Sequence, residues 1–121
     1  FHQQISTQAF LQENNVQVEA WAPFAETKNN IFTNETLQAI AEKHQKSVAQ
    51  VILRWLVQRG IIALAKTTHK ERMIENISIF DFELSAEDMA LIKTIDTGTS
   101  CFFDHREPEK VRWLGTRKMD L

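Results

Sequence analysis

The chain has 121 residues, 43% of them hydrophobic and 25% charged, which is the composition of one compact soluble domain and too little chain for two. A formal net charge of -2 offers no broad basic surface to grip a phosphodiester backbone, so nucleic-acid binding is not expected. No apolar run approaches the roughly 20 residues that cross a bilayer, and the opening Phe1-His2-Gln3-Gln4-Ile5-Ser6 lacks the basic start and apolar stretch of an export signal; no membrane partner and a cytoplasmic location are expected. The single cysteine, Cys101, has no thiol partner for a disulfide or a thiolate metal cluster, and its expected role is packing. Because the chain opens on Phe1 and not on methionine, it is expected to be part of a longer protein.

In chain order, Ile5, Ala9, Phe10 and Leu11 recur at helical spacing and Asn14-Asn15 supplies a stop, which predicts an amphipathic helix over residues 3 to 14. Val16, Val18 and Ala20 then alternate with polar residues up to Trp21-Ala22-Pro23, the pattern of a strand that ends where proline cannot donate to a ladder. Residues 24 to 33 are polar in the middle and read as a loop. From Thr33 or Asn34 as N-cap, Leu37, Ile40, Ala41 and His44 form the stripe of a surface helix. Ser47 caps a second helix whose broad apolar face is Val48, Val51, Ile52, Trp55 and Leu56, and Gly60 closes it.

Ile61-Ile62-Ala63-Leu64-Ala65 does not alternate and is too short for a helix, so it reads as a strand buried on both faces. Thr68 with Glu71 predicts a capping box opening a helix through Met73, Ile74 and Ile77, and Ser85 with Asp88 predicts another whose inner face is Met89, Ile92 and Ile95. Pro108 starts a last turn carrying Val111, Trp113 and Leu114. Strands separated by helices imply parallel α/β construction. A strand buried on both faces needs partners on both edges, and the chain supplies one convincing partner. Left alone, the chain is expected to expose strand edges and the apolar faces of several helices, and to self-associate through those edges.

In such folds ligands bind at the carboxyl ends of the strands, which directs attention to residues 21 to 26 and 66 to 76. Lys66, Lys70 and Arg72, with His69 between, crowd the entry to a helix N-terminus, where cations are mildly unfavourable. A phosphate held by free backbone N–H groups, the hydroxyls of Thr67 and Thr68 and the charges of Lys66 and Arg72 would relieve that conflict. A solvated basic turn, partly neutralised by Glu71 and Glu75, accounts for the same spacing. Asp104-His105-Arg106-Glu107 matches no metal-ligand spacing, so no metal is expected there. His44 and His2 have no partner at catalytic spacing along the sequence.

Residues 16 to 24 (Val-Gln-Val-Glu-Ala-Trp-Ala-Pro-Phe), 47 to 55 (Ser-Val-Ala-Gln-Val-Ile-Leu-Arg-Trp), 61 to 67 followed by Arg72, Glu75 and Asn76, and 80 to 85 (Phe-Asp-Phe-Glu-Leu-Ser) occur in one order along nearly the whole chain. Together they resemble the aldo-keto reductase family, in particular its bacterial 2,5-diketogluconate reductase-like branch. The resemblance implies an α/β fold, the C-terminal part of a TIM (α/β)8 barrel, with two parallel strands, helices and a C-terminal tail, and it makes residues 1–121 the C-terminal portion of an NADP-dependent oxidoreductase domain. It implies NADP(H) as cofactor and a small-molecule carbonyl compound, an aldehyde or ketone reduced to an alcohol, as the parent's substrate.

Residue by residue, the resemblance makes Lys66 the cofactor-phosphate contact, with Thr67 where serine is usual and Thr68 beside it. Arg72 pairs with the 2'-phosphate, while Glu75 and Asn76 border the adenine. A planar guanidinium suits a phosphate monoester, which agrees with that assignment. Trp21 stacks on the nicotinamide, and the backbone of Ala22 and Phe24 lies in the loop that straps the pyrophosphate. Glu26 puts a carboxylate near that anion, and Ala65 stands where proline is common. In the family such tails shape substrate specificity, which would place Phe102, Phe103 and Trp113 at a substrate pocket, although core packing explains them as well.

Carbonyl reduction needs a proton donor at the developing alkoxide. The family uses a tyrosine tuned by a lysine and an aspartate and assisted by a histidine, all in the first half of the barrel. This chain contains no tyrosine, so no catalytic residue is expected in it, and alone it is not expected to turn over substrate. Two other readings stand beside the reductase part: a catalytically inactive nucleotide-binding module, and a structural or interaction half-barrel indifferent to nucleotide.

Overall fold

A computed structural model describes residues 2–102, 104 and 106–117. The elements run α1 (Ile5–Glu13), β1 (Glu19–Ala20), a 3-10 segment (Ala25–Thr33), α2 (Glu35–His44), α3 (Val48–Gln58), β2 (Ile62–Ala63), α4 (Lys70–Ile77), α5 (Ala86–Thr94) and α6 (Pro108–Thr116). The strands β1 and β2 pair in parallel, with Glu19 opposite Ile62 and Ala20 opposite Ala63. Ile62 N–H donates to the Val18 carbonyl at 3.0 Å and Leu64 N–H to that of Ala20 at 2.9 Å. The connection between them runs through α2 and α3, the crossover that parallel pairing demands.

Helix α3 is the centre of the core. Val51 is fully buried, and Ile52 and Leu56 join it in one apolar cluster with Leu37, Ile40 and Ala41 of α2, Ile61, Leu84 and Ile92. Of the residues picked out by helical spacing in α2 and α3, Leu37, Ile40, Ala41, Val51, Ile52 and Leu56 lie in that cluster and Val48 and Trp55 pack against it. Their caps also form as expected: the Asn34 side chain accepts from Leu37 N–H, Ser47 and Gln50 make a reciprocal capping box, and Ser85 and Asp88 make another. Gly60, at φ +72°, takes the left-handed conformation that ends α3, where a side chain would be strained.

Several expectations fail, each for a physical reason. Helix α1 forms, but Ile5 and Phe10 of its apolar set are exposed and its buried residue is Gln8; Gln8 Nε2 donates to the Arg59 carbonyl at 2.7 Å, so a polar contact seats this helix. Strand β2 is not buried on both faces. Ile61 is buried, whereas Ile62 and Leu64 are 45% and 49% exposed, because the sheet has two strands and nothing among the described residues covers that face.

Thr68 and Glu71 do not form the predicted capping box. The N-cap of α4 is His69, without a side-chain cap, and the hydroxyl oxygen of Thr67 accepts from His69 N–H at 3.1 Å. Met73, Ile74 and Ile77, the apolar residues of that helix, are 52%, 57% and 67% exposed, in line with the expectation that the chain leaves apolar helix faces uncovered. The loop predicted over residues 24 to 33 is a run of tight turns in which Ala25, Glu26, Thr27, Asn29 and Asn30 all have positive φ. None of these is glycine, so the segment carries backbone strain. No helix among the described residues is long and apolar enough to cross a membrane.

His44 does have a partner that sequence spacing could not reveal. Its Nε2 lies 2.8 Å from Asp88 Oδ2, and Lys43 Nζ donates to Asp88 Oδ1 at 2.9 Å. The two residues at the end of α2 thus brace the start of α5 around a carboxylate that is 1% exposed. Burial alone would raise the pKa of Asp88, but hydrogen bonds from Lys43, His44 and Ser85 outweigh it and hold the group well below the usual carboxylate range. A depressed folded-state pKa contributes stability that is complete above the unfolded value and is lost as pH falls through the folded one. Asp88→Asn is therefore expected to lower the unfolding free energy by about 1–3 kcal/mol at neutral pH. The difference from the unsubstituted chain should shrink below about pH 4, as urea titrations at a series of pH values will measure.

Candidate functional site

Parallel pairing places the carboxyl ends of β1 and β2 on the same edge of the sheet. Trp21 follows Ala20 directly, and Lys66 lies three residues beyond Ala63, its partner in register. The two segments singled out in the sequence are therefore neighbours in space. Trp21 is 62% exposed. Ala22 and Phe24 are half-buried, and their carbonyls accept from Ala25 N–H at 3.0 Å and Thr27 N–H at 2.9 Å, which closes the strained turns of the following loop.

On the other side, Lys66, Thr68 and Arg72 are exposed and Thr67 is half-buried. Arg72 sits in the first turn of α4, the third helical residue after His69. The first N–H groups of a helix have no intrahelical acceptor, and here no side chain caps them. The uncapped N–H groups of α4, the Thr67 and Thr68 hydroxyls, Lys66 and Arg72 thus belong to one stretch of chain around a helix N-terminus, a kind of place that can receive a phosphate group. Among the described residues no cluster of His, Cys, Asp and Glu could hold a metal ion.

Glu75 and Asn76, further along α4, are half-buried. The Glu75 carboxylate accepts from the Ser47 hydroxyl, so its side chain is turned toward the N-terminus of α3 as well as lying on the helix that carries Arg72. The sequence reading missed the residue that organises this region, Gln50. Its side chain is buried; Nε2 donates to the carbonyls of Glu75 at 3.1 Å and Ser78 at 3.0 Å, and Oε1 accepts from Ser47 N–H at 3.0 Å. Helix α4 buries none of its own residues, so this amide and Ser47 hold it in place where apolar packing does not. The Ser47-x-x-Gln50 spacing is a visible capping-box signal. The contact with α4 is tertiary and leaves no trace in spacing.

The tail also reaches the site. Phe102 stacks on Trp21, with ring centroids 5.2 Å apart and planes inclined by 29°. Phe103 and His105 lie outside the described residues. Trp113 is 48% exposed on α6. Arg106 pairs with Asp104 at 3.0 Å, as a local ion pair in an exposed turn. Cys101 packs against the core cluster, as expected. A surface cleft of about 440 Å³ lies elsewhere, between α2 and α5, and is lined by Glu35, Lys43, Glu87 and Asp88 among others. Its excess of carboxylates makes it a poor receptor for phosphate, so the strand ends remain the better candidate site.

Residues 2–97 match the model of the aldo/keto reductase family. The chain belongs to that family. It is 51% identical over 81 residues to glyoxal reductase of Bacillus subtilis, a match covering 67% of this chain and 29% of that protein. Among solved structures it is similar to MGS-M4, an aldo-keto reductase enzyme from a Medee basin deep-sea metagenome library. That likeness has a TM-score of 0.82 and 36% identity and covers 85% of this chain and 38% of the other. The aldo-keto reductase AKR2E5 of the silkworm, Bombyx mori, solved in complex with NADPH, matches with a TM-score of 0.76 and 37% identity over 84% of this chain and 34% of its own. The chain thus spans less than a third of the length of the first curated relative and forms part of a TIM barrel: two adjacent strands with their helices.

Gln50→Ala should lower the unfolding free energy of this aldo/keto reductase chain by about 1–3 kcal/mol, because it strands two carbonyls and an N–H at a buried position. Hydrogen exchange should show the amides of α4 losing protection first, while those of α2 keep theirs.

Proposed function

We propose that this chain forms the adenosine-phosphate-binding part of an NADP(H)-dependent oxidoreductase that reduces small aldehydes or ketones to alcohols. The observation that carries the reading is the placement of Lys66 and Arg72. One leaves the carboxyl end of β2, and the other stands in the uncapped first turn of the next helix. In this reading Arg72 meets the 2'-phosphate that separates NADP from NAD, and Lys66 with the hydroxyls of Thr67 and Thr68 meets the same anionic end of the cofactor. The backbone of α4 supplies further N–H donors. Glu75 and Asn76, on the next turn, border the adenine. Trp21 presents its indole to the nicotinamide, and the backbone at Ala22 and Phe24 flanks the pyrophosphate.

The cofactor, when bound, supplies the hydride for carbonyl reduction. The chain's own residues bind and orient it. With no tyrosine in the sequence, the proton donor used by the family falls to residues other than these, and the chain contributes binding, not proton transfer. A second reading is a nucleotide-binding module without reductase activity, which the placement of Lys66 and Arg72 favours over a scaffold indifferent to nucleotide. The NADPH seen in the silkworm relative supports the cofactor assignment.

Arg72→Ala is expected to weaken NADPH binding by about 10- to 100-fold, the loss of a charge-assisted hydrogen bond or two. NADH binding should hardly change, since NADH has no 2'-phosphate. Fluorescence titration of both nucleotides checks this, and equal weakening for the two would remove the 2'-phosphate assignment.

A further inference from the structure

Trp21 is a large side chain at the mouth of β1 with 62% of its surface exposed. An indole so exposed samples several rotamers unless a neighbour holds it. One neighbour does. Phe102, from the tail between α5 and α6, stacks on it at a centroid distance of 5.2 Å. Phe102 is held in turn by the loop that follows β1: Lys28 Nζ lies over its ring, 4.4 Å from the centroid. The residue before it is tied to the same loop, where Asn29 Nδ2 donates to Cys101 Sγ at 3.2 Å. Lys28 also approaches Glu26 at 3.9 Å, so its ammonium has both a carboxylate and a ring for company. Two successive tail residues are thereby fastened to the segment 21–29 by an aromatic stack, a cation–π contact and a hydrogen bond.

The geometry points to Phe102 as a positioning residue for the cofactor: by stacking on Trp21, and being anchored through Lys28 and the Asn29–Cys101 contact, it fixes the indole in the plane that receives the nicotinamide. This rests on the assignment of Trp21 made under the proposed function and adds the tail to it. Stacking one face of the indole leaves the rest of the ring open, which agrees with its exposure. Pre-ordering the ring lowers the entropy cost of binding a flat aromatic ligand against it. Coupling runs in both directions: the tail favours nicotinamide binding, and a bound nicotinamide secures the tail.

The test uses the full chain and two ligands, NADPH and 2',5'-ADP, the second carrying the adenosine phosphates without the nicotinamide. Phe102→Ala should raise the Kd for NADPH about 3- to 10-fold, the range of an aromatic pair. It should leave 2',5'-ADP binding unchanged, and Phe102→Tyr should restore the NADPH affinity. Lys28→Met should show the same selectivity with a smaller effect. If both ligands bind Phe102→Ala as they bind the unsubstituted chain, the positioning role is overturned. If both weaken equally, Phe102 is a structural residue and the inference is likewise overturned. Failure of 2',5'-ADP to bind the unsubstituted chain would instead remove the phosphate site itself, and the inference with it.

Discussion

The buried amide of Gln50 is the contact on which the candidate site depends most. Helix α4 carries Arg72 in its first turn and buries no side chain of its own, so the hydrophobic effect gives it little reason to stay where it is. Gln50 takes the carbonyls of Glu75 and Ser78 with its two donors and the N–H of Ser47 with its acceptor. A buried primary amide with every one of these partners is rigid, because breaking any of them leaves an unpaired polar group out of reach of water. The helix is thereby referred to α3, and α3 is the densest part of the core.

Polar contacts at helix ends recur as the device that holds the outer elements to that core. Asp88 gathers Lys43 and His44 and joins α2 to α5. Arg59 Nη2 donates to the Gln3 carbonyl at 2.8 Å and to the Gln8 side chain of α1, and its guanidinium lies over Trp55 of α3, 4.4 Å from the ring centroid, joining α1 to α3. Apolar surface, by contrast, is left uncovered: Ile62, Leu64, Met73, Ile74, Ile77 and Phe80 are all more than two-fifths exposed. In a closed (α/β)8 barrel the strands are covered on both faces. The exposed β2 side chains are of the aliphatic kind that such interiors use, consistent with a chain that spans 38% of a related barrel.

The site has two arms at one sheet edge. One is cationic and rich in N–H donors, suited to phosphate. The other is aromatic, built from Trp21 with Phe102 on it, and is suited to a flat ring. The segment that follows Phe24 is strained, with Ala25, Glu26, Thr27, Asn29 and Asn30 all left-handed. Such strain persists where surrounding contacts over-determine it; here the turns at Ala22 and Phe24 and the tail contacts at Lys28 and Asn29 supply them.

Much of this could be read in the sequence by itself. Helical spacing located α2 and α3 and their core residues, Asn34, Ser47 and Ser85 announced their own helices, and four separated motifs, among them the run from Ile61 through Asn76 with its candidate phosphate-binding residues, carried the family. These are local signals, set by the period of a helix or the reach of a capping side chain. What the tertiary structure decided is which of those residues are covered and which meet across the chain. Met73 and Ile77 are apolar residues of a predicted helix, and they are exposed because no element among the described residues lies over them. His44 appears solitary until α5 brings Asp88 against it, and the part Gln50 plays is invisible until α4 lands on its amide. Phe102 is 81 positions from Trp21, and local periodicity holds no information about contacts at that separation; the fold alone brings the two rings together.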